Sequence, residues 1–224
     1  MAICKKYGAW LFAIALVLHC LFIYLGMGEL RNITKFLLLP ILIIYLLSYP
    51  GKTSFLVYLG LVCSFAGDLL LSRSEESFFL FGMLAFIGTH ICNSLFFARL
   101  QKGKIGKGKE GMIALLVLLV FSYFVFMLIK DNLGNFKLPI LLYMFIISLM
   151  AFLATGTIQN ESIKRTAFKF FIPGAVLFVV SDATLAINKF LVHQTYLDIM
   201  VMLTYGLAQY FLVKGFIEVK SGRL

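Results

Sequence analysis

"FLVYLGLVCSFAGDLLLS", residues 55–72, carries a single charged side chain, Asp68, in a run otherwise built from apolar and small residues. A helix on the surface of a soluble protein keeps a charged face opposite its apolar stripe. No such face exists here, so the segment reads as a helix buried all round, in a protein core or in a bilayer. The rest of the chain decides between the two. Of 224 residues, 62% are hydrophobic and 13% charged, with a mean hydropathy of +0.99. Soluble domains run at about half apolar and a quarter charged, so these values indicate an integral membrane protein.

A helix needs roughly 20 apolar residues to cross a bilayer. Eight segments qualify: 8–28, 33–49, 53–73, 77–98, 111–129, 138–158, 168–189 and 196–216. Connections between them are short, so neighbouring helices run antiparallel, and no linker or soluble region is left over. The expected fold is all-α, a polytopic transmembrane helical bundle of about eight helices forming a single integral membrane domain over residues 1–224. The first segment starts after Lys5 and Lys6 and has no convincing cleavage site, so it reads as a membrane helix and not as a removed signal. Cys20 does not fit a lipoprotein site, because His19 precedes it where a small residue is required.

Net charge is +10, from 20 basic and 10 acidic residues. No basic helix or aromatic platform lies outside the apolar segments, which argues against nucleic acid as a partner. With both termini on one side of the membrane, that side holds 14 of the 20 basic residues and the other holds 6. The positive-inside rule then makes both termini cytoplasmic, and the short lysine-rich loops suit a bacterial inner membrane. The loop "QKGKIGKGKEG" fits G-x-x-x-x-G-K from Gly103 to Lys109, but Glu110 stands where a phosphate loop needs Ser or Thr, and no strand precedes it. No H-E-x-x-H or G-x-S-x-G word occurs. Three of the four cysteines, Cys20, Cys63 and Cys92, lie in apolar segments without metal-type spacing, so neither a disulfide framework nor a metal is called for.

Of the ten acids, only Asp68 and Asp182 fall inside spans, in the words "FAGDLLL" and "VVSDATLA". A carboxylate near a bilayer centre costs about 2.5–3.5 kcal/mol on insertion scales, so such residues face a bundle interior and mark function. The third and seventh segments run in the same direction. Asp68 lies about five residues before the outer end of its segment and Asp182 six or seven, which at about 1.5 Å per residue puts both on the order of 8–10 Å below the boundary. Two carboxyls at one depth are candidates for one cavity, where one can hold a proton while the other is ionised. Asn188 and Lys189 return to nearly the face of Asp182 two turns on. Thr204 and Tyr205 fall near the aspartate depth, with Gln209 one turn beyond, and Lys35 opens the second segment on the outer side. His90 sits about 13 residues from the outer end of its segment, roughly 10 Å deeper than the aspartates, so a direct His–Asp contact requires a tilted or kinked helix.

Five words then form a pattern: "TKFLLLPI" (34–41), "GDLLL" (67–71), "FGMLAFIGTHI" (81–91), "LFVVSDATLAINKF" (177–190) and "VMLTYGLAQ" (201–209). In them the chain resembles the YhhN-like lysoplasmalogenase family of membrane hydrolases, with Asn93 standing where the family pattern favours an aromatic. The resemblance implies hydrolysis of the vinyl ether bond of lysoplasmalogens to a fatty aldehyde and glycerophosphoethanolamine or glycerophosphocholine. It places the catalytic pair at Asp68 and Asp182 and needs no cofactor. The implied partners are the lysophospholipid substrate and membrane lipids. Lys35, Asn188, Lys189, His90, Thr204, Tyr205 and Gln209 are the candidate substrate-binding residues. Two other readings of paired intramembrane carboxylates stay open at this point: a metal-dependent lipid amidase and a proton-coupled transporter. Oligomeric state leaves no mark in the sequence.

Overall fold

In hydrocarbon a backbone satisfies its hydrogen bonds only within a helix or a closed barrel, and the apolar segments take the first course. The computed structural model describes residues 2–73, 75–101 and 109–222, and among these the regular structure is helical throughout. The principal helices are α1 (Ala2–Tyr24), α2 (Gly28–Leu47), α3 (Phe55–Leu70) and α4 (Glu76–Leu100). They are followed by α5 (Lys109–Ile129), α6 (Lys137–Gly156), α7 (Lys164–Val192) and α8 (Thr195–Lys220). Seven of them, all but α3, are long and apolar enough to cross a membrane, as in an integral multi-pass membrane protein. Of the phosphate-loop-like stretch from Gly103 to Lys109, residues 103–108 lie outside the described residues.

Two helices depart from the expected bounds, and both departures bear on the acids. The segment expected over 53–73 is helical for only 16 residues, on the order of 24 Å against a hydrocarbon core of about 30 Å. Ser54 caps its start by accepting from the Leu56 N–H. At the other end the Ser72 hydroxyl donates to the Asp68 carbonyl at 2.8 Å. Asp68 is therefore two residues from the last helical residue, Leu70, and not five from the segment's end. The other departure is α7, expected over 168–189. Its α-helical middle, Ile172–Ile187, continues into a five-residue π-helical stretch, Asn188–Val192, which ends at His193 in a left-handed conformation (φ 54°). Asp182 thus lies ten residues before the end of α7 at Val192.

Helix α3 packs chiefly on α4, α7 on α8 and α1 on α2, while α4 also rests on α6. The α3–α4 contact is close enough that a Cβ at Gly67 would stand 2.6 Å from the Phe86 ring. Only glycine admits that ring, and the residue after it is Asp68. The centre of the bundle is aromatic: Phe97, Phe171 and Phe178 are fully buried, and Phe96 meets Phe97, Phe171 and Phe216 edge-on. Helix α5 is peripheral, with 11% of its span buried, and lies mainly on α6.

Candidate active site

Each intramembrane carboxyl has a tyrosine. On α8, Tyr205 donates its hydroxyl to Asp68 Oδ2 at 2.7 Å. On α6, Tyr143 donates to Asp182 Oδ2 at 2.6 Å. A buried carboxyl that lacks such partners is costly, and these phenols satisfy it without adding a charge. Lys35 Nζ, on α2, stands 4.0 Å from Asp68 Oδ1, with both side chains nearly enclosed (11% and 4% exposed). Asp68 is thus clamped from α2 and α8.

His90 reaches Asp182 directly. Its Nε2 is 3.3 Å from Asp182 Oδ2 and 3.0 Å from the Tyr143 hydroxyl. The expected separation of about 10 Å was an error of register: with ten residues of α7 beyond it, Asp182 sits deeper along its helix than the end of the apolar word suggested. His90 is fully buried, and its Nδ1 has no hydrogen-bond partner among the described residues. The ring is wedged edge-on against Phe178, centroids 4.8 Å apart. Phe178 also meets Tyr205 (5.6 Å) and Phe86 (6.4 Å). One phenyl ring therefore touches the supporting residue of each carboxyl. Asp68 and Asp182 lie within electrostatic reach of each other.

A largely apolar cavity opens between α4, α5, α6 and α7. Phe79, Met83, Phe86, Phe121 and Val125 contribute to its wall, and Asp182, Tyr143 and Ser122 are its polar members. Asp68 is not on this wall. It lies one turn from Leu71, which is, and beside Phe86 through Gly67. Among the described residues, no three His, Cys, Asp or Glu side chains gather in a group able to hold a metal ion.

The remaining sequence candidates divide by their contacts. Lys189 holds its ammonium 5.2 Å from the centroid of Phe79, at the cavity wall. Gln209 donates to Ser64 Oγ at 2.9 Å, Ser64 meets Thr89 Oγ1 at 3.0 Å, and Thr89 donates to the Gly60 carbonyl. That chain joins α8, α3 and α4 beneath Asp68. Thr204 bonds the Met200 carbonyl of its own helix at 2.6 Å. Asn188 holds the α7–α8 turn: its Nδ2 donates to Asp198 Oδ1, and its Oδ1 accepts from the Gln194 N–H. Asn93 is buried against Gly60 of α3. Tyr143 escaped sequence reading. It is seven residues into the apolar α6, near a helix end, where tyrosines are ordinary interfacial anchors. Its one signal was a phenol not accompanied by other polar residues for four positions on either side.

Two curated relatives are both named lysoplasmalogenase TMEM86A. The one from Bos taurus is 29% identical over 183 residues, covering 78% of this chain and 69% of the relative. The one from Homo sapiens is 28% identical over 176 residues with the same coverage. No solved structure matches. The YhhN family model matches residues 30–216, a range that contains Lys35, Asp68, His90, Tyr143, Asp182 and Tyr205, and the chain belongs to the YhhN family.

Proposed function

We propose that this protein is a lysoplasmalogenase, a membrane hydrolase that cleaves the vinyl ether bond of a lysoplasmalogen. The observation that carries the reading is a pair of intramembrane carboxyls, each held by a phenol, with one of them on the wall of a largely apolar cavity. The names of the two relatives support it.

A vinyl ether is opened by protonating its distal alkenyl carbon, which leaves an oxocarbenium cation. Asp182 is placed to give that proton. It faces the cavity, and its neighbours are a phenol and an imidazole and not a fixed cation. Asp68, paired with the Lys35 ammonium, is the carboxylate that stabilises the cation and orients water. Water oxygen bonds to the cationic carbon and its proton returns to Asp182. The hemiacetal hydroxyl then gives up its proton as the bond to the glycerol oxygen breaks and that oxygen takes one up, releasing fatty aldehyde and the glycerophospho-base. Glycosidases divide an oxocarbenium reaction between two carboxyls in a comparable way. The Phe-rich wall holds the chain and keeps the cation dry. Lys189, over Phe79, binds on the phosphate side of the substrate. The loop charges support an orientation with both termini cytoplasmic and a bacterial inner membrane as the location.

The test is fatty aldehyde release from lysoplasmalogen by protein purified in detergent, run beside Tyr143→Phe and Tyr205→Phe. Wild type releases aldehyde. Each variant loses one hydrogen bond to a carboxyl, an interaction of about 1.5–3 kcal/mol, so turnover falls roughly tenfold to a hundredfold. No aldehyde from folded wild type with either the ethanolamine or the choline substrate would remove the assignment.

A further inference from the structure

Above the Asp68 clamp lies a second pair of opposite charges to which the mechanism assigns no role. Arg31 on α2 and Asp198 on α8 face each other at 3.6 Å, with side chains 41% and 34% exposed. Unlike Lys35 and Asp68, they are open to an incoming molecule. Their places on the helices align them with the site. Arg31 precedes Lys35 by one turn of α2, and Asp198 precedes Tyr205 by two turns of α8, so each pair shares a helix face. Lys35 and Tyr205 are the residues that grip Asp68. Lys35 also lies within electrostatic reach of both Arg31 and Asp198. Charge therefore continues from the buried carboxyl up to the surface pair.

We propose that Arg31 and Asp198 form the headgroup subsite: Arg31 takes the phosphate and Asp198 the ammonium of a zwitterionic phospho-base. The inference rests on the lysoplasmalogenase reading and adds to it the residues that choose the headgroup. The two side chains neutralise each other when the subsite is empty, and a phosphate and an ammonium replace each charge with its like. Net charge at the mouth is unchanged, so a zwitterion enters without leaving a stranded ion. A guanidinium suits the phosphate because its fork can meet two oxygens. Lengths agree. Asp198 is bonded to Asn188, and Asp182 lies six residues before Asn188 on α7, about 9 Å along the helix at a rise of about 1.5 Å per residue. From ammonium to distal alkenyl carbon the substrate has about eleven bonds, on the order of 12 Å extended with bonds of about 1.2–1.5 Å. Asn188 supports the arrangement, since its amide donates to Asp198 Oδ1 at 2.8 Å and leaves Oδ2 to face Arg31. Of the two carboxylate oxygens, the one toward Arg31 is free to change partner.

The experiment compares two lipids in detergent, lysophosphatidylethanolamine and lysophosphatidic acid, which share the phosphate and differ in the ammonium. Affinity for each is measured by ligand-induced thermal shift on wild type, Asp198→Asn and Arg31→Lys. Aldehyde release from the corresponding alkenyl lipids is measured beside it. Wild type is expected to prefer the ethanolamine lipid, and Asp198→Asn to lose that preference by about tenfold, as removal of a charge-assisted contact does. Arg31→Lys keeps the charge, removes the fork and weakens both lipids alike. Equal weakening of both lipids by Asp198→Asn would make it a fastener of the α7–α8 turn and overturn the proposal. So would an unchanged preference. The binding arm uses acyl lipids without a vinyl ether, so it reads the subsite even if aldehyde release fails. Failure of aldehyde release in wild type counts against the hydrolase reading alone.

Discussion

Asp182→Asn is expected to abolish fatty aldehyde release, with turnover falling by roughly 10²–10⁴-fold, the usual share of a positioned acid–base group. The amide keeps the size of the carboxyl and still accepts from Tyr143, so packing around His90 is preserved while the transferable proton is lost. Asp68→Asn is expected to match it for a different reason. It removes the anion opposite the cation and leaves the Lys35 ammonium unpaired in a nearly closed site, where an uncompensated charge is strongly unfavourable. The two variants should therefore differ in stability. Asp182→Asn melts near wild type, and Asp68→Asn melts lower. A double variant, Asp68→Asn with Lys35→Met, should regain the melting temperature without regaining activity. Wild-type turnover in Asp182→Asn would take the proton donor away from this position altogether.

Phe178→Ala is the second large effect. The ring is fully buried and lies edge-on to His90, Tyr205 and Phe86. Truncating a buried Phe costs about 3–5 kcal/mol where the surroundings cannot collapse. Helices within a bilayer associate through packing more than through exclusion of water, so lost contacts here are felt directly. The void would loosen the support of both carboxyls at once. Thermal melting and aldehyde release should drop together, and Phe178→Leu should restore much of both. A Phe178→Ala protein with unchanged melting and turnover would show that the ring does not hold the two centres in place.

Much of the fold was legible because the rule behind it is simple. Hydrocarbon demands internal hydrogen bonding over about 20 residues, and apolar runs of that length are visible to the eye. The segment at 196–216 became Thr195–Lys220, and that at 77–98 became Glu76–Leu100. Hydropathy failed where it does not set the helix end. Ser72 ends α3 early with a side-chain bond, and the π-helical turn extends α7 past Lys189 while the word "NKF" looks like an exit. Both errors shift the acids along their helices, in opposite directions. That is why His90 appeared out of reach. Asp68 and Asp182 themselves stood out because an acid in hydrocarbon is rare. Tyr143 did not, since its hydroxyl gains meaning only from the carboxyl that α7 brings to it. Asn188 had the right face by periodicity, yet its amide is taken up by the turn next to it, a contact that no helical spacing encodes.

The shortness of α3 bears on the lipid around the protein. A helix of 16 residues cannot match a thick bilayer, and the mismatch is relieved by local thinning of the membrane or by strain on the helix, at fractions of a kcal/mol per Å. Asp68 rides on that helix near its end. Thickness should then act on turnover: proteoliposomes of short-chain phosphatidylcholine should support faster aldehyde release than those of long-chain lipid, with headgroup composition fixed. Equal rates across the series would mean that neighbouring helices shield α3 fully from the surrounding lipid.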